Sequence, residues 1–254
     1  MDERMRGCLR PVGVASPSRR AGDSDFDRSP YVAFYELTRA CDLVCVHCRA
    51  CAQPRSDPRE LATEQALALI EQLAEFPQPP ILVLTGGDPF KRPDFFALIS
   101  RAVALGLETS ITPSATPLVT RDALARLRDH GVKRMAVSLD GPTAASHDAV
   151  RGVAGSFRRT LEIAADARRC GLEVQVNTTL TSTNVDEIER MADLLDRLAY
   201  RIVVGTFSGA GRACRGSTLI NAKRRLPDCG GSPRRTRSDS RPPKRRTGWL
   251  AQSL

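Results

Sequence analysis

The feature that most constrains the fold is a regular alternation, from residue 30 onward, of short apolar segments with amphipathic ones. Six apolar segments have the length and composition of strands: YVAFYEL (31–37), ILVLT (81–85), LETSIT (107–112), VKRMAVSLDG with its turn (132–141), LEVQVNTTL (172–180) and RIVVGTF (201–207). Strands of this kind, separated by helices, predict a parallel sheet covered by helices. We therefore expect an α/β fold, a partial TIM-like barrel of five or six βα units with parallel strands; a doubly wound open sheet is the alternative.

The segments between the strands show the 3.6-residue period of helices. Predicted helices cover residues 61–76, 93–105, 121–130 and 156–170, and a fifth carries an apolar stripe from Val185 to Leu198. The expected N-caps are Thr63, Thr120 and Ser156, and the expected helix stops are Gly131 and Gly171.

The two ends of the chain differ from this body in composition. We expect a disordered leader at residues 1–29, a core domain at 30–207 and a disordered basic tail at 208–254. Residues 199–254 hold 13 of the 38 Lys and Arg and 2 of the 29 acidic residues, a net charge of +11; the 25 basic and 27 acidic residues elsewhere give −2. Because the positive charge belongs to the tail, nucleic-acid binding by the main body is not favoured. The abrupt change after Phe207 is typical of a truncated or frame-shifted chain.

Hydropathy bears on where the protein works. The chain has no run of about eighteen apolar residues, and no apolar run follows a basic stretch at its N-terminus. The pattern predicts no membrane span and no secretory signal, and it favours the cytoplasm. In a reducing compartment, clustered cysteines are typical of metal sites or catalytic thiols rather than of disulfides.

Such a cluster occurs in CDLVCVHCRAC, residues 41–51, which contains four of the eight cysteines. Thiolates suit iron–sulfur clusters and zinc alike, but a zinc site usually pairs its ligands across a longer insert that this stretch lacks. The spacing CxxxCxxC can hold three irons of a 4Fe–4S cluster and leave the fourth iron open, whereas four ligands would give a centre that only transfers electrons. Both interpretations stand at this point.

Three motifs together resemble the radical S-adenosylmethionine (radical SAM) superfamily: CDLVCVHC after the first strand, TGGDP after the second and VSLDG after the fourth. The resemblance covers about residues 30–198. The flanking sequence, from ELTRAC to HDAVRG, is similar to the branch that usually carries a C-terminal SPASM or twitch domain and includes heme-synthesis enzymes and peptide maturases. Beyond residue 198 only Cys214 and Cys229 occur, without the spacing of such a domain.

The resemblance implies a cofactor set and a reaction. Cys41, Cys45 and Cys48 would ligate a 4Fe–4S cluster, the open iron would chelate S-adenosylmethionine, and Cys51 would be spare. A one-electron donor such as ferredoxin or flavodoxin would drive cleavage to a 5′-deoxyadenosyl radical, which would abstract hydrogen from a peptide or tetrapyrrole substrate. No catalytic residue beyond the cluster is implied.

The resemblance also implies contacts to S-adenosylmethionine. Gly86, Gly87, Asp88 and Pro89 match the family's GGEP motif, with Asp88 where Glu is usual; the glycines would let backbone carbonyls, or the carboxylate, reach the methionyl ammonium. The alternative for this motif is an ordinary turn.

Polar residues at later strand ends complete the expected contact set. These are Ser138 and Asp140 after the fourth strand, Arg151 as a partner of the methionyl carboxylate, and Asn177 on the fifth strand. Turn chemistry and a solvated arginine are the alternatives. Ser114 and Thr116 are weaker candidates, His47 is expected to face the adenine through its backbone, and His130 and Cys170 are expected to be structural.

Three other functions remain open. An electron-transfer protein would use all four clustered cysteines as ligands. A truncated paralogue would hold the cluster yet be catalytically impaired. A nucleic-acid-associated protein would act through the basic tail, with binding that weakens steeply as salt rises.

Overall fold

The computed structural model describes residues 27–207 and 217–220, and the side chains of residues 27–201. The strands are β1 (Val32–Thr38), β2 (Ile81–Gly86), β3 (Thr109–Ile111), β4 (Arg134–Ser138), β5 (Glu173–Leu180), β6 (Arg201–Phe207) and β7 (Ser217–Ile220). The helices are α1 (Thr63–Ala74), α2 (Phe95–Ala104), α3 (Arg121–Asp129), α4 (Ala144–Arg151), α5 (Ser156–Arg169) and α6 (Ile188–Arg197). Single 3₁₀ turns occupy Pro89–Lys91 and Val185–Glu187.

The described strands form one sheet in chain order, β1 to β7. Each of the pairs from β1–β2 to β5–β6 is parallel, and β7 alone runs antiparallel to its neighbour β6. The predicted α/β fold with parallel strands is therefore confirmed. The carboxyl ends of β1 to β6 lie at one edge, from which the described loops after β1 to β5 begin.

The core lies between this sheet and the helices. Leu84, Ile111 and Met135 occupy neighbouring strands and are fully buried, as is Ile70 on α1. Strands β2, β4 and β5 contribute alternate residues to this layer, because successive side chains point to opposite faces. These strands are thereby anchored along their length, so the loops at their carboxyl ends start from fixed positions.

Several predicted helix ends are confirmed. The Ala123 N–H donates to Thr120 Oγ1 at 3.1 Å, so Thr120 caps α3. Gly131 and Gly171 follow the ends of α3 and α5 with φ of +89° and +83°, a left-handed conformation that glycine adopts without strain.

Other predicted details are wrong. Ala62, not Thr63, is the N-cap of α1, and Gly155, not Ser156, is the N-cap of α5. Helix α4 was not predicted, because its eight residues are too few to show a period.

The two predicted end segments lie largely outside the described residues, which omit 1–26, 208–216 and 221–254. Within the predicted leader, Ser29 is buried and its Oγ accepts from the Gln78 N–H at 3.2 Å. Within the predicted tail, Ser217–Ile220 forms strand β7, where no strand was expected. Four residues with one apolar pair give no periodic signal, so this strand could not be read from the sequence.

Candidate active site

The cysteine-bearing loop begins where β1 ends and is fastened at two places. At its base, the Cys41 N–H donates to the Gln53 carbonyl and the Gln53 N–H donates to the Arg39 carbonyl, both at 2.8 Å. Farther along, the Val44 and Val46 N–H groups donate to the last two carbonyls of α4 at 3.3 and 3.0 Å. These carbonyls have no partner within the helix, so the loop satisfies them.

The three cysteines of the CxxxCxxC spacing are free thiols with three different environments. Cys41 is buried, and its Sγ lies 3.2 Å from Ser114 Oγ. Cys48 Sγ accepts from the Ala52 N–H at 3.3 Å. Cys51, by contrast, is exposed, and its backbone is in the left-handed region with φ 47°.

Cys45 has a charged donor beside it. Arg151 Nη1 donates to Cys45 Sγ at 3.6 Å. Burial raises the pKa of the Cys45 thiol, and the Arg151 charge opposes that rise. A thiolate ligand at this position would therefore meet a cation and an N–H donor.

The GGDP turn after β2 packs directly against the start of the cysteine loop. The Gly87 N–H donates to the Thr38 carbonyl, and the Asp88 N–H donates to the Ala40 carbonyl, both at 2.7 Å. A Cβ atom on Gly87 would lie 2.4 Å from the Ala40 oxygen, and one on Gly86, whose φ is +125°, would lie 2.5 Å from the Thr38 oxygen. Glycine is thus required here by the approach of two protein segments, whatever ligand binds nearby.

The carboxylate of Asp88 is fully buried and has protein partners. Thr116 Oγ1 donates to Asp88 Oδ2 at 2.6 Å, and the Phe90 N–H donates to Oδ1 at 3.2 Å. Burial raises the pKa of Asp88, and these hydrogen bonds counteract the rise. The Asp88 carboxylate thus stabilises the turn through bonds within the protein. The backbone carbonyls of the turn are therefore the groups that could bind a ligand.

Ser114 connects this turn to the first cysteine. Its Oγ donates to the Gly87 carbonyl at 2.9 Å and lies within hydrogen-bond distance of Cys41 Sγ. The loop after β3, a weaker candidate in the sequence, therefore contacts both motifs.

Asp140 lies at the centre of the charged groups of the site. Its side chain is 0% exposed; Oδ2 accepts from His47 Nε2 at 3.0 Å and from Arg151 Nη2 at 2.5 Å, and Oδ1 accepts from the Thr179 N–H at 2.8 Å. Burial alone would raise the pKa of Asp140, but the Arg151 charge and the His47 contact outweigh it and lower the pKa to about 2. Asp140 is thus ionised at neutral pH and joins the cysteine loop, through His47, to α4.

Arg151 is nearly enclosed, with 13% of its side chain exposed, so it is not a solvated surface residue. Two of its nitrogens are bonded to Asp140 and Cys45, as described, and its Nε has no partner among the described residues. The alternative of a solvated arginine is therefore wrong, and the Nε–H is left to bind a further acceptor.

His147, which the sequence analysis missed, completes this set. It lies on α4, one helical turn before Arg151, and is 0% exposed. The Asp140 N–H donates to its Nδ1 at 3.1 Å. Burial and the Arg151 charge lower the pKa of His147 to about 4, so the ring is neutral at pH 7. The spacing HxxxR, two polar residues four apart, is the signal that could have revealed it.

Ser138 and Asn177 are register partners on β4 and β5, but they differ in surroundings. Ser138 lines a cavity at the carboxyl ends of the strands, whereas Asn177 Oδ1 accepts from Gln175 Nε2 at 2.7 Å and is not among the lining residues. The cavity walls come from the cysteine loop, β2–β4 with their loops, α4 and α5; the polar groups among them include Thr85, Gly86, Gly87, Thr112, Ser114, Ser138, His147, Arg151 and Thr160.

The donor set fits a cluster better than a single metal ion. Among the described residues, no group of three or more His, Cys, Asp or Glu side chains converges on one point as a single ion would require. A 4Fe–4S cluster places each thiolate on a different iron, so its ligands need not converge, and three thiols on one short loop suit it. Partnerless buried donors beside them, Arg151 Nε and His147 Nε2, suit a polar ligand in the adjoining cavity.

Comparison with known proteins assigns the class. Residues 35–195 match the family described as the Radical SAM superfamily. The chain therefore belongs to the radical SAM superfamily, whose members are enzymes that use a 4Fe–4S cluster and S-adenosylmethionine.

Individual relatives narrow the branch. The chain is 40% identical over 164 residues to an AdoMet-dependent heme synthase of Nitratidesulfovibrio vulgaris, across 65% of this chain and 44% of the relative. It is 32% identical over 185 residues to the mycofactocin maturase MftC of Mycobacterium ulcerans, across 72% and 49% of the two chains. The predicted branch, of heme-synthesis enzymes and peptide maturases, is confirmed. The chain spans about half the length of these curated relatives.

A solved structure agrees in fold. Streptococcus suis SuiB bound to S-adenosylmethionine superposes with a TM-score of 0.62 at 19% identity, across 72% of this chain and 42% of that one. In the part of the chain that the structure describes, no helix has the length and apolar character needed to cross a bilayer.

Proposed function

We propose that this chain is the core of a radical SAM enzyme in which Cys41, Cys45 and Cys48 hold a 4Fe–4S cluster with one open iron for S-adenosylmethionine. The observation that carries the proposal is the position of the three thiols. They lie on one loop, fastened to β1, the GGDP turn and the end of α4, beside a cavity with partnerless donors.

Held by Cys41, Cys45 and Cys48, the cluster would supply one-electron chemistry: reductive cleavage of the bound sulfonium to methionine and a 5′-deoxyadenosyl radical, for hydrogen abstraction from the substrate. The role of this chain is to bind and position. Burial of Cys41 would keep water from its thiolate, and the contact of Arg151 with Cys45 would stabilise the charge of that thiolate.

The cavity residues would hold S-adenosylmethionine by its polar groups. The Gly86 and Gly87 carbonyls are suited to accept from the methionyl ammonium, while Arg151 Nε is suited to donate to the carboxylate. Asp88 and Pro89 shape the turn that presents these carbonyls. Ser138 is suited to the ribose.

Two further residues would act indirectly, by positioning residues that contact S-adenosylmethionine. Asp140 would position Arg151, to which it is bound, and Asn177 would support the strand end beside Ser138, its register partner.

We infer a tetrapyrrole as the first substrate class to test, because the heme synthase relative is more similar than the peptide maturase, at 40% against 32% identity. A peptide is the second class. A ferredoxin or flavodoxin, in the cytoplasm, would supply the electron.

The core reaction has a direct test. The chain is loaded anaerobically with iron and sulfide, reduced with dithionite and given S-adenosylmethionine, and 5′-deoxyadenosine is measured by chromatography. We expect its formation, together with a change in the paramagnetic spectrum of the reduced cluster when S-adenosylmethionine is added. A spectral change without the product would indicate the impaired paralogue. If neither the product nor the spectral change is observed, the proposal is contradicted.

Cysteine substitutions separate three ligands from four. Cys41→Ser, Cys45→Ser and Cys48→Ser should each lose most of the cluster iron, whereas the matched control Cys51→Ser should keep it. Iron and sulfide analysis with the visible absorption spectrum measures the outcome. If Cys51→Ser also empties the site, the four-ligand electron-transfer alternative is supported instead.

A further inference from the structure

The buried side chain of His147 has one ring nitrogen with a protein partner and one without. A backbone amide can only donate, so the bond from the Asp140 N–H to His147 Nδ1 requires an unprotonated Nδ1. The neutral ring therefore carries its hydrogen on Nε2. That atom is buried and has no partner among the described residues, and the side chain lines the cavity.

A second donor lies next to it. Arg151 is four residues farther along α4, so the two side chains are neighbours on one helix face. Its Nε is also buried without a partner, and it lines the same cavity. Two partnerless N–H groups on residues that line one cavity call for an acceptor, because buried donors are normally satisfied by protein, water or ligand.

The position of Arg151 indicates which group of the ligand is the acceptor. Since Arg151 Nη1 contacts Cys45 Sγ, this end of the cavity adjoins a cluster ligand. In the proposed function the amino and carboxylate groups of S-adenosylmethionine would chelate the open iron, so its carboxylate would lie close to the cluster. The carboxylate is also its only anionic group, which suits a guanidinium and a second N–H.

We propose that His147 Nε2–H donates a hydrogen bond to the methionyl carboxylate of S-adenosylmethionine, beside Arg151 Nε–H. This inference rests on the proposed function. His147 is thus a binding residue held in one tautomer by the backbone of Asp140. Its ring is suited to this because it stays neutral and offers a donor of fixed direction.

Two substitutions test the roles of the two ring nitrogens of His147 separately. In His147→Asn, the side-chain oxygen can still accept from the Asp140 N–H, but the donor at the Nε2 position is lost. In His147→Gln, an amide N–H can reach the Nε2 position, but the acceptor for Asp140 is lost. His130→Asn, on a histidine at the end of α3 and outside the cavity, is the matched control.

Binding is measured anaerobically on the full, cluster-loaded chain, by calorimetry in the oxidised state, in which no cleavage occurs. For His147→Asn we expect S-adenosylmethionine affinity to fall about tenfold, with unchanged iron content, because one hydrogen bond to a charged group is lost. His147→Gln should bind more tightly than His147→Asn, and His130→Asn should bind like the unaltered chain.

The second ligand is decarboxylated S-adenosylmethionine, which lacks the acceptor. The unaltered chain should bind it more weakly, and His147→Asn should cause no further loss. Equal affinities of His147→Asn and the unaltered chain for S-adenosylmethionine would overturn the inference. An equal loss with both ligands would overturn it too, because the acceptor would then lie elsewhere. If the unaltered, cluster-loaded chain binds neither ligand, the proposed function itself fails.

Discussion

Replacing Asp140 by asparagine tests the charged centre of the site. The change keeps the size of the side chain and its acceptor for the Thr179 N–H, but it leaves the Arg151 guanidinium without its counter-ion in a buried position. Removing one partner of a buried ion pair costs about 3–5 kcal/mol. The fall of the pKa from 3.8 to about 2 corresponds independently to roughly 2 kcal/mol.

We therefore expect the free energy of unfolding of Asp140→Asn at pH 7 to be about 3 kcal/mol lower than that of the unaltered chain. Urea unfolding under reducing conditions, followed by circular dichroism, measures it. Asp129→Asn, in an exposed pair with Arg128, is the matched control and should change little.

The pH dependence has a definite sign. Because the pKa of Asp140 is lowered in the folded state, its stabilisation is complete above pH 3.8 and is lost as the pH falls through about 2. The difference in free energy of unfolding between the unaltered chain and Asp140→Asn should thus be constant near neutrality and shrink in acid. A difference at pH 7 no larger than that of the Asp129→Asn control, or one that persists unchanged in acid, would refute the reasoning.

Two further substitutions probe the cysteine loop. Gly87→Ala would place a Cβ 2.4 Å from the Ala40 oxygen and should displace the loop, so that both the stability of the chain and its cluster iron content fall. Gly106→Ala is the control for backbone strain alone, because Gly106 has a φ of +80° but open space around it; this variant should keep its iron. Arg151→Lys keeps the charge but cannot donate to Cys45 in the same geometry. The reduction potential of the cluster should therefore become more negative, as measured by redox titration. An unchanged potential would show that this contact does not tune the cluster.

The three cysteines proposed as cluster ligands could be picked out from the sequence because they lie within one loop. Cys41, Cys45 and Cys48 are close in the chain, so their proximity in space follows from spacing alone. The strands and the edge at which the loops meet were also predictable, since the alternation of elements fixes a parallel sheet.

The partners of the charged residues could not be predicted in this way. Asp140 contacts His47 and Thr179, which lie 93 and 39 residues away from it in the chain. Only the folded chain brings them together, so the sequence indicated Asp140 as a turn residue or a contact to S-adenosylmethionine rather than as the centre of a network. The glycines of GGDP were assigned to ligand approach, whereas their closest neighbours are the carbonyls of Thr38 and Ala40.

Helix α4 explains why these parts belong together. Its last two carbonyls hold the cysteine loop at Val44 and Val46, and its Arg151 contacts both Cys45 and Asp140. A shift of this one short helix would therefore move the thiols and the cavity wall together. The proposed cluster site and the proposed ligand site are consequently coupled through this helix, and binding in the cavity would directly affect the position of the cysteine loop.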